Sequence, residues 1–266
     1  MDNKKNEFVS TGQLKGRVAI ITGGGSGIGE GICMEFASQG AKIAIADINI
    51  EKADLVAQKI NNNGGECIAK KVDATIPKQI KTFVEEILKK FKNIDILVNC
   101  AGYNEFSPIE KVTNEQFENL LRTNLFSQWF FCKEVIPVMM KKKYGKIVNI
   151  GSGCGILGIP KALPYTTAKH GVIGLTRALA IDLGPSFINV NCITPGTVLT
   201  PLLEKACTKK FCEITLQRYP IPRLGIPKDI AKAALFLVSA ASDWITGVVL
   251  PVDGGLTCCI RAHHME

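Results

Sequence analysis

A tyrosine and a lysine stand four residues apart in the stretch PYTTAKHG, at Tyr165 and Lys169. On a helix that spacing puts both side chains on one face. An ordinary phenol has a pKa of about 10 and is a poor base near neutrality. A neighbouring ammonium favours phenolate, and a depression of roughly two to three units corresponds to about 3–4 kcal/mol. The pair is read as an acidified phenol able to exchange a proton with an alcohol oxygen, the alternative being a chance pair on a helix surface.

A second chemical feature is the glycine-rich stretch TGGGSGIG at 22–29, between an apolar run and a helical one. A pyrophosphate needs close backbone approach and free amides at a helix N-terminus, and glycine permits both. The spacing of Gly23, Gly27 and Gly29 does not match G-x-G-x-x-G. Its place after the first strand still points to a nucleotide; an ordinary tight turn is the alternative. Asp47 lies 18 residues beyond Gly29, at the end of the second apolar run. A carboxylate there accepts hydrogen bonds from both ribose hydroxyls and repels a 2′-phosphate. No Arg or Lys sits in the glycine turn or directly after Asp47, so NAD is expected over NADP. The other role open to Asp47 is capping the next helix.

The elements that must hold these groups alternate along the chain. Apolar runs at 17–22, 42–47, 66–74, 94–102, 146–152, 188–196 and 247–255 read as strands. Helical stretches separate them, including a long one around Glu115–Lys143. Strands apolar throughout and separated by helices imply a parallel sheet covered on both faces. The fold class is therefore α/β, a doubly wound, mostly parallel seven-stranded sheet of Rossmann type. Residues 14–258 form the expected single domain after a mobile tail, 1–13. An irregular stretch at about 197–224 follows the sixth strand, a candidate lid or an ordinary packed excursion.

Bulk properties exclude other classes. With 46% apolar residues the 266-residue chain can bury a large core. No apolar run approaches the ~18 residues of a membrane span, and the polar N-terminus lacks a signal-peptide core. A cytoplasmic protein with no membrane partner is expected. The net charge of +8 is dispersed, and its densest run, Lys141–Lys143, reads as a solvated helix end. With four Tyr, two Trp and no nucleic-acid motif, no nucleic-acid partner is expected. Ten scattered cysteines without a CxxC read as free, mostly buried thiols, so neither a disulfide nor a metal is expected.

Taken in order, these pieces resemble the short-chain dehydrogenase/reductase family in its single-domain branch, over roughly residues 14–257. TGGGSGIG is similar to its cofactor turn, VDA at 72–74 to its adenine segment, and NCAG at 99–102 to its Asn-Asn-Ala-Gly motif. Asn124 in RTNLF falls at its helix-4 asparagine, Ser152 stands 13 residues before Tyr165, YTTAK matches Tyr-x-x-x-Lys, and PGTVLT at 195–200 resembles its Pro-Gly segment. One departure is Cys100 in place of the second asparagine. The pattern suggests Asn99 as the cofactor neighbour and the next residue as sheet support.

The resemblance implies a nicotinamide cofactor, here NAD, held by Gly23, Ser26, Gly27, Ile28, Gly29, Asp47, Ile48, Asp73 and Ala74. Asn99, Ala101, Gly102, Tyr165, Lys169, Pro195, Gly196, Val198 and Thr200 complete that set. The implied catalytic residues are Asn124, Ser152, Tyr165 and Lys169. Tyr165 is the acid–base. Lys169 lowers the phenol and binds ribose hydroxyls, aided by the positive charge of oxidised nicotinamide. Ser152 donates to the substrate oxygen, and Asn124 distorts the fourth helix and holds a water that links Lys169 to solvent. Plainer roles are turn capping for Ser152 and packing for Asn124. Substrate contacts are expected from Ser152, Cys154, Tyr165 and Leu199. The apolar neighbours Tyr103, Phe106, Ile156, Leu157, Ile159, Leu202, Leu203 and Phe211 lean toward a hydrophobic alcohol or ketone. Family members commonly form tetramers or dimers, so a homo-oligomer is expected. A 3-oxoacyl-thioester reductase, which usually favours NADPH, and a non-catalytic NAD-binding regulator are the alternatives.

Overall fold

Strands that are buried on both faces need helices above and below them, and the chain supplies them in alternation. A computed structural model of the protein describes residues 12–201, 203 and 215–259. Within these residues the strands are β1 (Val18–Thr22), β2 (Lys42–Asp47), β3 (Glu66–Lys71), β4 (Ile96–Asn99), β5 (Gly145–Ile150), β6 (Ile188–Pro195) and β7 (Val249–Val252). They pair in the order β3-β2-β1-β4-β5-β6-β7, and every pair is parallel. The sheet expected to be mostly parallel is entirely so among the described residues. The chain winds outward from β1 to β3 and then returns to place β4 beside β1. Ligands of such sheets bind beyond the strand ends where the winding reverses.

The helices are α1 (Gly27–Ser38), α2 (Ile50–Asn62), α3 (Pro77–Phe91), α4 (Asn114–Leu121), α5 (Ser127–Lys142), α6 (Leu163–Leu183) and α7 (Pro227–Val238). Their starts follow from sequence. Asn49 caps α2 by accepting the Lys52 amide at 3.0 Å, and Thr113 caps α4 by accepting that of Gln116 at 3.1 Å. Prolines occupy the first turns of α3, α6 and α7, where their missing N–H costs little. One apolar cluster packs α1, α2 and α7 on the sheet, and a second packs α3, α5 and α6 on its other side.

Several expected boundaries shift, and the seventh strand, expected over 247–255, keeps only Val249–Val252. The third strand, expected over 66–74, ends at Lys71, because Asp73 Oδ1 accepts from the amide and hydroxyl of Thr75 and turns the chain. The fourth keeps only Ile96–Asn99 of 94–102. The long helix around Glu115–Lys143 is divided by a π-turn at Arg122–Phe126. There the Asn124 side chain donates to the Leu120 carbonyl at 3.1 Å, taking an acceptor that the helix backbone would use.

Lys141–Lys143 does close α5, but Lys142 is more than a solvated cation. It donates to Asp95, whose side chain is 1% exposed. Asp95 also accepts from the Val18 amide at 2.9 Å and from Arg17 at 3.2 Å, tying the starts of β1 and β4 to α5. Burial alone would raise its carboxyl; the bonds from Lys142 and Val18 outweigh burial and hold it below the usual range. A depressed carboxyl stabilises the fold above its unfolded pKa, and that contribution is lost as pH falls through the lower folded value. Asp95→Ala is expected to cost about 2–3 kcal/mol, since it strands the buried Val18 amide. Urea midpoints measured against pH check this: the difference between wild type and variant should shrink in acid.

Candidate active site

Because all strands run the same way, one edge of the sheet collects their seven carboxyl ends; predicted residues follow six of these, and Asn124, Tyr165 and Lys169 come from the π-turn and α6. After β1, Gly23 has φ 66° and its amide donates to the Ala46 carbonyl at 2.8 Å. Gly29 passes so close to this turn that a Cβ there would lie 2.0 Å from the Gly23 carbonyl oxygen. Ser26, at the N-cap of α1, makes no side-chain cap bond. A turn made close by glycines, at a helix start left open, fits a pyrophosphate. Thr200 lies over the turn, its Cγ2 being 3.0 Å from where a Cβ on Gly27 would stand. Ile28 is partly buried against the first cluster, and Ile48 is exposed.

Asp47 ends β2, as expected, and its two oxygens accept from the Gly25 amide at 2.8 Å and the Asn49 amide at 2.9 Å. It therefore braces the glycine turn from the neighbouring strand. Lys71 is its cross-strand partner on β3. Ile48, Lys71, Asp73 and Gln79 line one cleft beside it, with Ala74 packed just behind.

Beyond β4 the side chains alternate across the strand. Asn99, expected as the cofactor neighbour, is 1% exposed, and its amide donates to Asn149 Oδ1 at 2.9 Å. Asn149 in turn donates to Thr176 on α6 at 3.0 Å. Asn99 is thus the sheet support, and the half-buried Cys100 carries the opposite direction, as strand alternation requires. Thr22, which sequence reasoning passed over, accepts from the amides of Cys100 and Ala101 at 2.9 and 3.0 Å. It clamps β1 to β4 at the reversal point; a threonine directly before the glycine turn was its signal. Gly102 faces Asn124, whose Oδ1 would be 2.5 Å from a Cβ there.

Ser152 follows β5, and its hydroxyl oxygen accepts the Cys154 amide at 3.1 Å, so it does cap a short turn. Its hydrogen stays available to donate. Tyr165 and Lys169 lie on α6, with Lys169 Nζ 5.5 Å from the centre of the Tyr165 ring. Lys169 is 4% exposed and donates to the Ile150 carbonyl at 2.9 Å. Asn124 is fully buried in the π-turn and donates to the Tyr103 carbonyl at 2.9 Å. Its Oδ1 has no partner.

The expected lowering of the phenol is not what these groups produce. Burial pushes Tyr165 up to about 12; the Ser152 hydroxyl works against this, while Cys154 and Cys100 add to it. Burial also brings Lys169 down to about 8. The sequence places the lysine beside the phenol, but it does not reveal that both would be desolvated together.

Past β6, Pro195 and Gly196 lead into the excursion; Val198 buries its side chain in the first cluster. The excursion's two ends are joined: Leu199 N donates to the Gly225 carbonyl at 2.8 Å, and Gly225 N to that of Thr197 at 3.0 Å. Tyr219, buried, accepts the Thr197 amide at 2.6 Å. Leu199 and Leu203 are partly buried beside this neck, whereas Leu202, Phe211, Cys207, Cys212 and most of the N-terminal tail lie outside the described residues. Tyr103, Phe106, Ile156, Leu157 and Ile159 are exposed around the Ser152 end. Among the described residues no His, Cys, Asp and Glu cluster could hold a metal, and no helix is long and apolar enough to cross a membrane.

A family model described as enoyl-(acyl carrier protein) reductase matches residues 23–257. The chain belongs to the short-chain dehydrogenase/reductase family. It is an oxidoreductase of that family, whose members use nicotinamide cofactors, and the glycine turn and Asp47 fit such a group. A 3-oxoacyl-[acyl-carrier-protein] reductase of Thermotoga maritima is 36% identical over 92% of this chain and 99% of its own. The 7alpha-hydroxysteroid dehydrogenase of Escherichia coli is 37% identical over 91% and 95%. A solved 7alpha-hydroxysteroid dehydrogenase, complexed with NADH and 7-oxo glycochenodeoxycholic acid, superposes with a TM-score of 0.88 at 37% identity, covering 91% of this chain and 94% of that one. Levodione reductase superposes at 0.90 with 30% identity, covering 93% of this chain and 100% of its own. The dehydrogenase/reductase fold is thus shared with enzymes named for quite different substrates.

Proposed function

We propose that the protein is an NAD-dependent oxidoreductase that interconverts a secondary alcohol and a ketone. The convergence of Ser152, Tyr165 and Lys169 carries this reading. When bound, the nicotinamide supplies or takes up the hydride. Tyr165 removes the hydroxyl proton in oxidation and returns it in reduction. Ser152, whose oxygen is engaged by the Cys154 amide, donates its hydrogen to the substrate oxygen. Lys169 keeps positive charge beside the phenol, and Asn124 Oδ1 offers an acceptor on the way from Lys169. The exposed apolar ring of Tyr103, Phe106, Ile156, Leu157 and Ile159 favours a substrate with a bulky apolar body.

Asp47 supports NAD. Each of its oxygens already accepts one amide, and each retains a lone pair for a ribose hydroxyl. Lys71, in register with it, tempers the repulsion of a 2′-phosphate without removing it. Asp47→Ala is expected to lower the NAD/NADP ratio of kcat/KM by about tenfold or more, which is about 1.4 kcal/mol. Steady-state kinetics with both cofactors read this, and an unchanged ratio refutes the assignment.

A second reading, reduction of 3-oxoacyl thioesters, is favoured by the name of the Thermotoga maritima relative. A panel of steroid, polyol and simple secondary alcohols, their ketones and a 3-oxoacyl thioester, each with NAD(H) and NADP(H), decides between the two. Turnover confined to the thioester with NADPH overturns the first reading. No turnover on any member favours a cofactor-binding regulator.

A further inference from the structure

Gln128 begins α5, four residues after Asn124, and it is 1% exposed. Its Nε2 donates to the Asn124 main-chain carbonyl at 3.1 Å and to the Ile150 carbonyl at 3.4 Å. The second of these carbonyls is the one that receives Lys169 Nζ at 2.9 Å. Gln128 Oε1 has no partner, like Asn124 Oδ1 nearby. A buried carboxamide with one end unpaired carries a desolvation cost that an apolar side chain would not. Packing alone therefore does not account for a glutamine at this place.

We infer that Gln128 is a positioning residue for Lys169, tying the π-turn of Asn124 to the end of β5 and sharing with the lysine the carbonyl on which it rests. The arrangement has two parts. The π-turn at Arg122–Phe126 displaces main-chain carbonyls from regular helical pairing, and Gln128 fixes one of them. At Ile150 one oxygen serves two donors, so the lysine is held at a fixed place by a carbonyl that Gln128 also aligns. Without those donors the Asn124 carbonyl loses this partner, and the Ile150 carbonyl, whose peptide plane stays anchored by the Gly151 amide on Ile193, keeps Lys169 but loses the donor that it shares with it. This rests on the proposed role of Lys169, and its test is chosen to separate the two.

The test uses Gln128→Met, which keeps length and loses the donors, with Gln128→Leu as a second variant should the first fail to fold. The titration of Lys169 is followed by NMR of lysine carrying ¹³C at the ε-carbon, the signal being assigned by its loss in Lys169→Met. The titratable groups facing Lys169 are Tyr165, Cys100, Cys154 and Cys192, and substituting Gln128 leaves all four in place. The expected result is a displaced Lys169 titration midpoint. On whichever panel substrate the wild type turns over, kcat should also fall about 10- to 100-fold with little change in NADH affinity. An unmoved midpoint, or a moved one with unchanged kcat, overturns the positioning role. A moved midpoint in a protein that turns over no panel substrate upholds it and rejects the proposed function instead.

Discussion

Tyr165→Phe lowers turnover by at least about a thousandfold, within the range of lost general acid–base catalysis, while NADH affinity stays within a few-fold of wild type. The substitution removes one oxygen and leaves α6 and its packing untouched. Because burial holds the phenol up at about 12, the wild type should show a particular pH behaviour. Oxidation needs the phenolate, so its rate climbs with pH throughout the accessible range. Reduction needs the protonated phenol, which is present at all ordinary pH values, so its rate stays flat on that account. Lys169, near 8, adds a second inflection: above it the lysine loses the charge that favours phenolate. The climb of the oxidation rate with pH should vanish from the residual rate of Tyr165→Phe. Single-turnover rates in each direction across pH check this, and an active variant sinks the mechanism.

Gly29→Ala is expected to weaken NADH binding by about a hundredfold or more, as for a misplacement near 1 Å, and to lower the melting temperature. Two effects oppose each other at this helical position. Alanine gains about 1 kcal/mol of helix propensity over glycine. Against that, its Cβ would stand 2.0 Å from the Gly23 carbonyl oxygen and 2.7 Å from the carbonyl carbon. Both are backbone atoms, so the turn itself must open, and the steric cost wins. Gly174, likewise helical but on α6 and with open space around its Cβ position, is the control. The same substitution there should leave NADH binding unchanged and be neutral or stabilising. Fluorescence titration with NADH and thermal melts of both variants give the answer; a Gly29→Ala protein that binds normally refutes the close-turn reading.

Much of the architecture was legible because it depends on local pattern. Apolar strand runs and the glycine turn each act over a few residues, and they fall where expected apart from shifted strand ends. What escaped depends on pairs far apart in the chain. Lys71 gives no sign in sequence that it will be Asp47's neighbour; only the β2–β3 register makes it so. The break in the helix at Asn124 follows the distortion that the family resemblance implies there, although the residues themselves carry an unbroken helical pattern; its cause is a side chain competing for the Leu120 carbonyl. That the Asn99 side chain would be buried against Asn149 was not legible, because a motif fixes which residues are present, whereas strand alternation fixes where each one points. The phenol's pKa went astray for a similar reason. Spacing shows that Lys169 is near, but the burial that outweighs it is a property of the assembled site.

The neck of the excursion has a consequence for how such a chain can change. Thr197, Leu199, Tyr219 and Gly225 fasten the two ends of the segment to each other, independently of what runs between them. Loop-closure entropy grows slowly with length, by about 0.6 kcal/mol per doubling. The fastening bonds lie at the ends of the segment, so a change of length between them is expected to leave the strand order and the Tyr165–Lys169 pair in place, as thermal melts of loop-length variants would show.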